Sequence, residues 1–193
     1  MVGFQHESEA NRFHHDLDLR LRPFHLELHP EKTRLIRFGK FAAPQQRERG
    51  LGKPPTFDFL GFTHICGKSR EGRFVLFRHS AKKRMRAKLG SLRSQLHARR
   101  HLPVAEQGGW LASVVRGYFA YHAVPTNAKP LESFRTEIIH HWRRALRRRG
   151  QRDRTNWTRM ARLAERWIPK VRITHSWPQA RFDVRTRGRS RVR

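Results

Sequence analysis

The sequence is poor in cysteine, in long apolar runs and in acidic side chains. Cys66 is the single cysteine among 193 residues, which excludes an internal disulfide framework and a multi-cysteine zinc site. No run approaches the ~20 apolar residues that span a bilayer. The start, MVGFQHESEANRF, lacks both the apolar core of a signal peptide and the basic face of a transit peptide. These absences predict a soluble, intracellular protein of a reducing compartment such as the cytoplasm, with no membrane partner.

Basic side chains outnumber acidic ones almost three to one. The chain has 43 Lys and Arg against 15 Asp and Glu, a formal charge of +28, and 34 of the 43 are Arg. The planar guanidinium matches phosphate and stacks on bases, so this composition favours a nucleic-acid partner. Residues 1–80 carry +5 of the charge and residues 81–193 carry +23. With 37% hydrophobic residues, the chain also has enough apolar material for a core.

In the first half, apolar residues recur with a period of 3.6 in some segments and a period of 2 in others. Together with a helical second half, these patterns predict an α+β protein. The elements predicted for the first half are a helix over Glu7–Arg22, two short strands on either side of a turn at Pro30, a surface loop over Ala42–Pro55, and a hairpin of strands over Phe57–Ile65 and Arg73–His79.

Apolar residues return at helical spacing throughout the second half. Ser80 is the predicted N-cap of a basic amphipathic helix, whose apolar stripe is Met85, Leu89, Leu92 and Leu96. Two further helices are predicted over Gly109–His122 and Pro130–Arg148, and a short fourth helix is capped by Thr155. Four tryptophans divide by pattern: Trp142 and Trp167 lie on apolar stripes and are assigned to the core, whereas Trp157 and Trp177 are available to stack on unpaired bases.

Seven arginines follow His141, and no acid interrupts them before Asp153. Such a run repels itself unless a polyanion neutralises it, so RNA contact is the favoured interpretation. The predicted RNA-binding residues are Arg143, Arg144, Arg147, Arg148, Arg149, Arg152, Arg154, Lys82, Lys83, Arg84, Lys170 and Arg172.

Thirteen histidines raise the question of a metal site. The nearest candidates are the pairs His14 and His15, His25 and His29, and His140 and His141. His25 and His29 flank strand-like residues, and none of the pairs belongs to a ligand set typical of a zinc site. We therefore predict no metal site and interpret the histidines as part of the basic surface.

Several short motifs follow one another in a specific order. VGF is followed by a helix, LELHPEKTRLIRFG, a spacer and FDFLGFTH, and then by a basic helical region with HHWRRALRRRGQ and RWIPKVRITHSWP. Over nearly its whole length the chain thus resembles the C-terminal part of a group II intron reverse transcriptase/maturase. The resemblance implies a partial reverse-transcriptase palm over residues 1–80, a helical thumb or maturase X domain over 81–170, and a partly disordered basic tail over 171–193.

The resemblance also implies roles for particular residues. Lys32, in the PEKT motif, would contact the nucleotide or the departing pyrophosphate in an intact relative. The strand that supports the primer end would include Phe59, Leu60, Gly61 and Phe62. For Gly61 this implies close approach of the primer backbone, since glycine in a strand often marks such a contact.

The polymerase centre of that family needs three aspartates that hold two Mg²⁺ ions, and two of them lie in a YADD turn just before a VGF-like segment. This chain has no such turn, and Asp16 and Asp18 would face apart on a helix. We expect no catalytic residue and no cofactor in this chain, although Mg²⁺ is expected for an intact family member.

Three functions remain open at the level of sequence. The first is an RNA-binding fragment that binds structured intron RNA, assists splicing and mobility of the intron, and does not polymerise by itself. The alternative is part of an active RNA-directed DNA polymerase, truncated or split, with primer–template nucleic acid and a missing N-terminal reverse-transcriptase part as partners. The third is a decayed gene product, whose unpaired palm strand would favour aggregation.

Overall fold

The computed structural model describes residues 1–150 and 155–177. Within them are six α-helices, a short 3₁₀ helix and a three-stranded antiparallel sheet, which confirms the α+β class. The chain divides into two compact units, with the boundary between Pro55 and Thr56. That boundary lies before the hairpin, whereas the sequence placed a boundary after it, at residue 80. None of the helices in the described residues is long and apolar enough to cross a membrane.

The first unit contains helix α1 (Glu7–Leu21), the 3₁₀ helix Arg22–Phe24 and helix α2 (Ala42–Glu48). The prediction for α1 is confirmed, and the Glu9 carboxylate caps it by accepting a hydrogen bond of 3.4 Å from the backbone N–H of His6. The interpretation of Ala42–Pro55 as a loop was wrong for its first half, which forms α2.

The predicted strands around Pro30 are also absent. The turn itself is present, since the N–H groups of Lys32 and Thr33 both donate to the carbonyl of His29. The flanking residues form no strand, and Leu26 and Leu35 are 55% and 52% exposed. Alternation of apolar residues is not sufficient for a strand, because the backbone polar groups also need a partner strand.

The second unit begins with strands β1 (Phe57–Phe59), β2 (Phe62–Lys68) and β3 (Phe74–Ser80), in the order β1-β2-β3. The predicted hairpin between β2 and β3 is confirmed. The stretch predicted as one strand over Phe57–Ile65 is instead two strands joined by a tight turn. Leu60 and Gly61 form that turn with φ of 48° and 83°, and positive φ at both positions is what a two-residue hairpin turn requires.

Four helices follow: α3 (Lys82–Ala98), α4 (Val104–His122), α5 (Ala128–Arg147) and α6 (Trp157–Trp167). Their apolar stripes meet in one core, and its fully buried side chains include Leu92, Leu111, Phe134, Trp142 and Met160. The predicted stripe of α3 and the core assignment of Trp142 are confirmed, and Trp167 packs against the same core half-buried.

Three predicted helix starts were misplaced. Ala81 rather than Ser80 precedes α3, because Ser80 is the last residue of β3. Helix α4 begins at Val104, five residues before the predicted Gly109. Asn156 rather than Thr155 caps α6, since the Asn156 Oδ1 accepts a hydrogen bond of 2.8 Å from the backbone N–H of Arg159. Of the predicted tail, residues 171–177 are described and form no helix or strand, and residues 178–193 lie outside the described residues.

The loop between α4 and α5 binds to β3. The buried Asn127 accepts a hydrogen bond of 2.8 Å from the backbone N–H of Ser80, and its amide donates to the Ser80 Oγ at 2.9 Å and to the His122 carbonyl at 2.7 Å. The Thr126 hydroxyl accepts from the backbone N–H of Arg78 at 3.0 Å. These bonds occupy two N–H groups of β3, so this stretch of the strand is not open to pairing with another chain.

Gly108 of α4 lies directly against the Trp167 side chain of α6. A Cβ atom at this position would lie 2.6 Å from Cγ and Cδ2 of Trp167. Helical Gly→Ala usually stabilises by about 0.5–1 kcal/mol, but Gly108→Ala is expected to lower the free energy of unfolding by about 1–3 kcal/mol because it overpacks this contact. Denaturant unfolding followed by circular dichroism measures the change.

Gly117 provides the matched control in the same helix. It is exposed, and no other described atom of a neighbouring element lies within 4 Å of its Cβ position. Gly117→Ala is expected to raise the free energy of unfolding by about 0.5–1 kcal/mol. Equal stabilisation by both substitutions would show that α4 and α6 do not pack as closely as described.

Candidate nucleic-acid interface

A cleft of about 750 Å³ lies between α3 and α5. Helix α3 contributes Gly90, Arg93, Ser94 and His97, and Arg100 lies two residues after its end. Helix α5 contributes His141, Arg144 and Ala145, and Arg148 directly follows its last residue. No acidic side chain is among these described lining residues. We call this surface the basic cleft.

Helix geometry brings the cleft residues into two rows. Arg93 and His97 are spaced i, i+4 on one face of α3, and the Arg100 guanidinium lies beside His97 just after the end of the helix. That face adjoins the buried stripe through Leu92 and Leu96. On α5, His141 and Arg144 are spaced i, i+3, next to the buried Trp142, and Arg148 is the C-cap residue of the helix. Since the buried stripes pack together, the two cationic rows border the same cleft.

Arg100 is held in place at the end of the α3 row. Its Nη1 lies 2.7 Å from the Nε2 of His97, and its Nε donates to the Nε2 of His101 at 2.8 Å. Because a guanidinium can only donate, both imidazole Nε2 atoms act as acceptors. The orientation of Arg100 is therefore determined before a ligand binds.

His141 is the half-buried imidazole of the cleft. Burial lowers its pKa from the ordinary value, Glu137 opposes this by raising it, and Arg144, Arg93 and His140 lower it further. Its Nδ1 has no hydrogen-bond partner among the described residues. The positive charges around the ring disfavour its protonation, and an anion in the cleft would act in the opposite direction.

The side chains of the predicted arginine run lie in different surroundings. Arg144 and Arg148 line the cleft, whereas the Arg143 guanidinium lies over the ring of Trp157, 4.3 Å from its centroid. Arg147 is exposed at the end of α5, and the Arg149 Nη2 donates to the carbonyl of His101 at 3.4 Å. Arg152 and Arg154 lie outside the described residues.

The other predicted RNA-binding residues do not line the cleft. Lys82, Lys83 and Arg84 are exposed in the first turn of α3. Lys170 pairs with Glu165, with 2.5 Å between Nζ and Oε1. Arg172 lines a separate groove of about 360 Å³, together with Lys170 and Arg116.

Four cleft residues were not among the predicted RNA-binding residues: Arg93, His97, Arg100 and His141. Their helical spacing on α3 and α5 was a usable signal, but it has meaning only if the two helices are known to pack together. Because the RNA-binding residues were predicted from the density of arginine in the sequence, the prediction favoured the end of α5 over the middle of α3.

The residues predicted to support a primer lie at the β1–β2 turn. Phe59 and Leu60 are 38% and 62% exposed. The Phe62 ring is buried and stacks on Tyr121 with 5.6 Å between centroids, and the Tyr121 hydroxyl donates to the Leu60 carbonyl at 2.6 Å. Gly61 is buried in the turn, and its positive φ already accounts for the glycine.

Lys32 is exposed in the turn of the first unit. No group of three or more His, Cys, Asp or Glu side chains in residues 1–150 and 155–177 is arranged to hold a metal ion.

Comparison with protein-family models, curated proteins and solved structures gave no match to this chain.

Proposed function

We propose that this chain binds structured RNA through the basic cleft, as the RNA-binding part of a group II intron-encoded reverse transcriptase/maturase. The observation that carries the RNA-binding proposal is the cleft itself, in which four arginines from α3, α5 and the residues just after each helix border a single space. The family assignment is supported by the order of the sequence motifs. In this proposal α3–α6 correspond to the thumb or maturase X domain, and residues 1–80 correspond to the end of the palm.

The proposed mechanism is binding without covalent chemistry. Phosphates entering the cleft meet Arg93 and Arg100 on one side and Arg144 and Arg148 on the other. Each neutralised phosphate releases condensed counterions, which supplies most of the binding free energy. Two facing rows favour a folded RNA, because phosphates must be presented to both helices at once. Preferential binding to the conformation of the intron RNA that is active in splicing would raise the population of that conformation.

The proposal is tested by the RNA preference of the wild-type chain. Fluorescence anisotropy with a folded group II intron domain is expected to give a lower dissociation constant than an unstructured RNA of equal length, at equal salt. The logarithm of the binding constant is expected to fall with the logarithm of the salt concentration by about 0.7–0.9 per phosphate neutralised. Equal affinity for both RNAs and for heparin of matched charge would show that binding is non-specific electrostatic attraction. That result would contradict the proposal.

A further inference from the structure

Trp157 is an exposed tryptophan whose ring contacts side chains of a neighbouring helix. It is the first residue of α6 and is 48% exposed, in contrast to Trp142, which is completely buried nearby in sequence. The His140 ring contacts it, with 4.9 Å between centroids and an interplanar angle of 56°. The exposed ring therefore does not lie loose on the surface but is packed on one side against α5.

Arg143 supports the ring of Trp157 from α5. Its guanidinium carbon lies 4.3 Å from the ring centroid, within the range of a cation–π contact. The Nε of Arg143 is buried and has no hydrogen-bond partner among the described residues. The guanidinium therefore lies against the aromatic ring, and about half of Trp157 remains exposed to solvent.

The stacking surface and the basic cleft belong to the same part of α5. Arg143 and Arg144 are consecutive, so their side chains leave the helix about 100° apart. Arg144 lines the cleft, whereas Arg143 turns to Trp157. An RNA strand that contacts Arg144 through its phosphates therefore passes beside the surface that Trp157 presents.

We infer that Trp157, supported by Arg143, is a stacking site for an unpaired nucleobase of the bound RNA. This inference rests on the proposed RNA binding. It adds the requirement that the bound RNA contains a single-stranded nucleotide. Every base has a π-face, so the site accepts any base and selects for exposure rather than for sequence. A positive charge behind the tryptophan ring suits a ligand whose backbone is anionic.

The test uses two RNAs of identical charge. One is an RNA duplex with a short single-stranded uridine overhang, and the other carries abasic nucleotides in the same overhang. Stacking on an aromatic side chain contributes about 1–3 kcal/mol per base, so Trp157→Ala is expected to weaken binding of the uridine probe about 5- to 150-fold. The abasic probe should bind wild type and Trp157→Ala equally, and Trp157→Phe should retain most of the affinity for uridine.

Phe41 supplies the matched control, since it is 64% exposed and the Nζ of Lys40 lies 5.5 Å from its ring centroid. Phe41→Ala is expected to bind both probes as wild type does. An equal loss on both probes by Trp157→Ala would mean that the ring only supports the fold, and no loss on either probe would also overturn the stacking site. If the cleft binds structured RNA but Trp157→Ala has no effect, the stacking inference alone fails. If wild type binds neither probe, both proposals fail.

Discussion

Replacing Arg93, Arg144 and Arg148 together by Gln is expected to weaken binding to folded RNA about 100-fold. All three side chains line the basic cleft and are exposed. A phosphate contact contributes about 1 kcal/mol, so three contacts amount to about two orders of magnitude. Arg100 is kept, because its bonds to His97 and His101 give it a structural role. Fluorescence anisotropy at fixed salt measures the change.

A second triple variant separates the cleft from net charge. Arg12, Arg20 and Arg47 are exposed residues of the first unit, and their replacement by Gln removes the same charge. We expect less than about a threefold change in affinity for this control, because only long-range attraction is lost. An equal loss in both triple variants would mean that net charge rather than the cleft determines binding. Unchanged circular dichroism of both variants shows that the fold is intact.

Replacing Gln107 by Leu is expected to lower the free energy of unfolding by about 3–5 kcal/mol. Gln107 is fully buried in α4, where its Oε1 accepts a hydrogen bond of 3.0 Å from the Trp142 indole N–H. Its Nε2 donates to the carbonyls of Arg100 at 3.2 Å and Leu102 at 3.0 Å. Leu fills a similar volume but leaves all three partners unsatisfied, and each costs about 1–3 kcal/mol when buried.

Urea unfolding measures the effect of Gln107→Leu, with Gln95→Leu as the control. Gln95 is half-buried on α3, and its amide donates a hydrogen bond of 3.0 Å to the Ser91 hydroxyl. This control is expected to change the stability by less than about 1 kcal/mol. A Gln107→Leu variant as stable as wild type would mean that the three hydrogen bonds do not determine the packing of α4 on α5.

The helices could be predicted from sequence because their signal is local. The leucine stripe of α3 and the stripe through Phe134, Ile138 and Trp142 on α5 follow the period of the helix, and all of these side chains contribute to the core. The role of Gln107 could not be predicted in this way. Its position depends on the indole of Trp142, 35 residues away in sequence, and periodicity carries no information about such a partner.

The strands were less predictable because their formation depends on pairing. Leu26 and Leu28 alternate with polar residues as a strand would, yet they lie in no strand of the described structure. The pattern of Phe57–Ile65 predicts one continuous strand, although the turn at Leu60 and Gly61 divides it. A Gly inside an aromatic run is compatible with either a strand or a turn, and only the pairing of Phe59 with Phe62 decides between them.

The candidate site was predictable in composition but not in arrangement. The sequence placed most of the positive charge in the helical half, and Arg144 and Arg148 do line the cleft. Arg143 is adjacent in sequence but supports Trp157 instead. Which helix face meets a neighbour follows from tertiary packing, so the contribution of α3 to the site was not visible in the arginine run alone.

The salt dependence of RNA binding tests the central claim most directly. The claim is that Arg93, Arg144 and Arg148 each neutralise a phosphate of the folded RNA. Removing three phosphate contacts is expected to reduce the slope of the logarithm of the binding constant against the logarithm of salt concentration by about 2–3. The control triple variant is expected to keep the wild-type slope. A cleft variant with the wild-type slope would contradict the claim, because its arginines would then contact no phosphate.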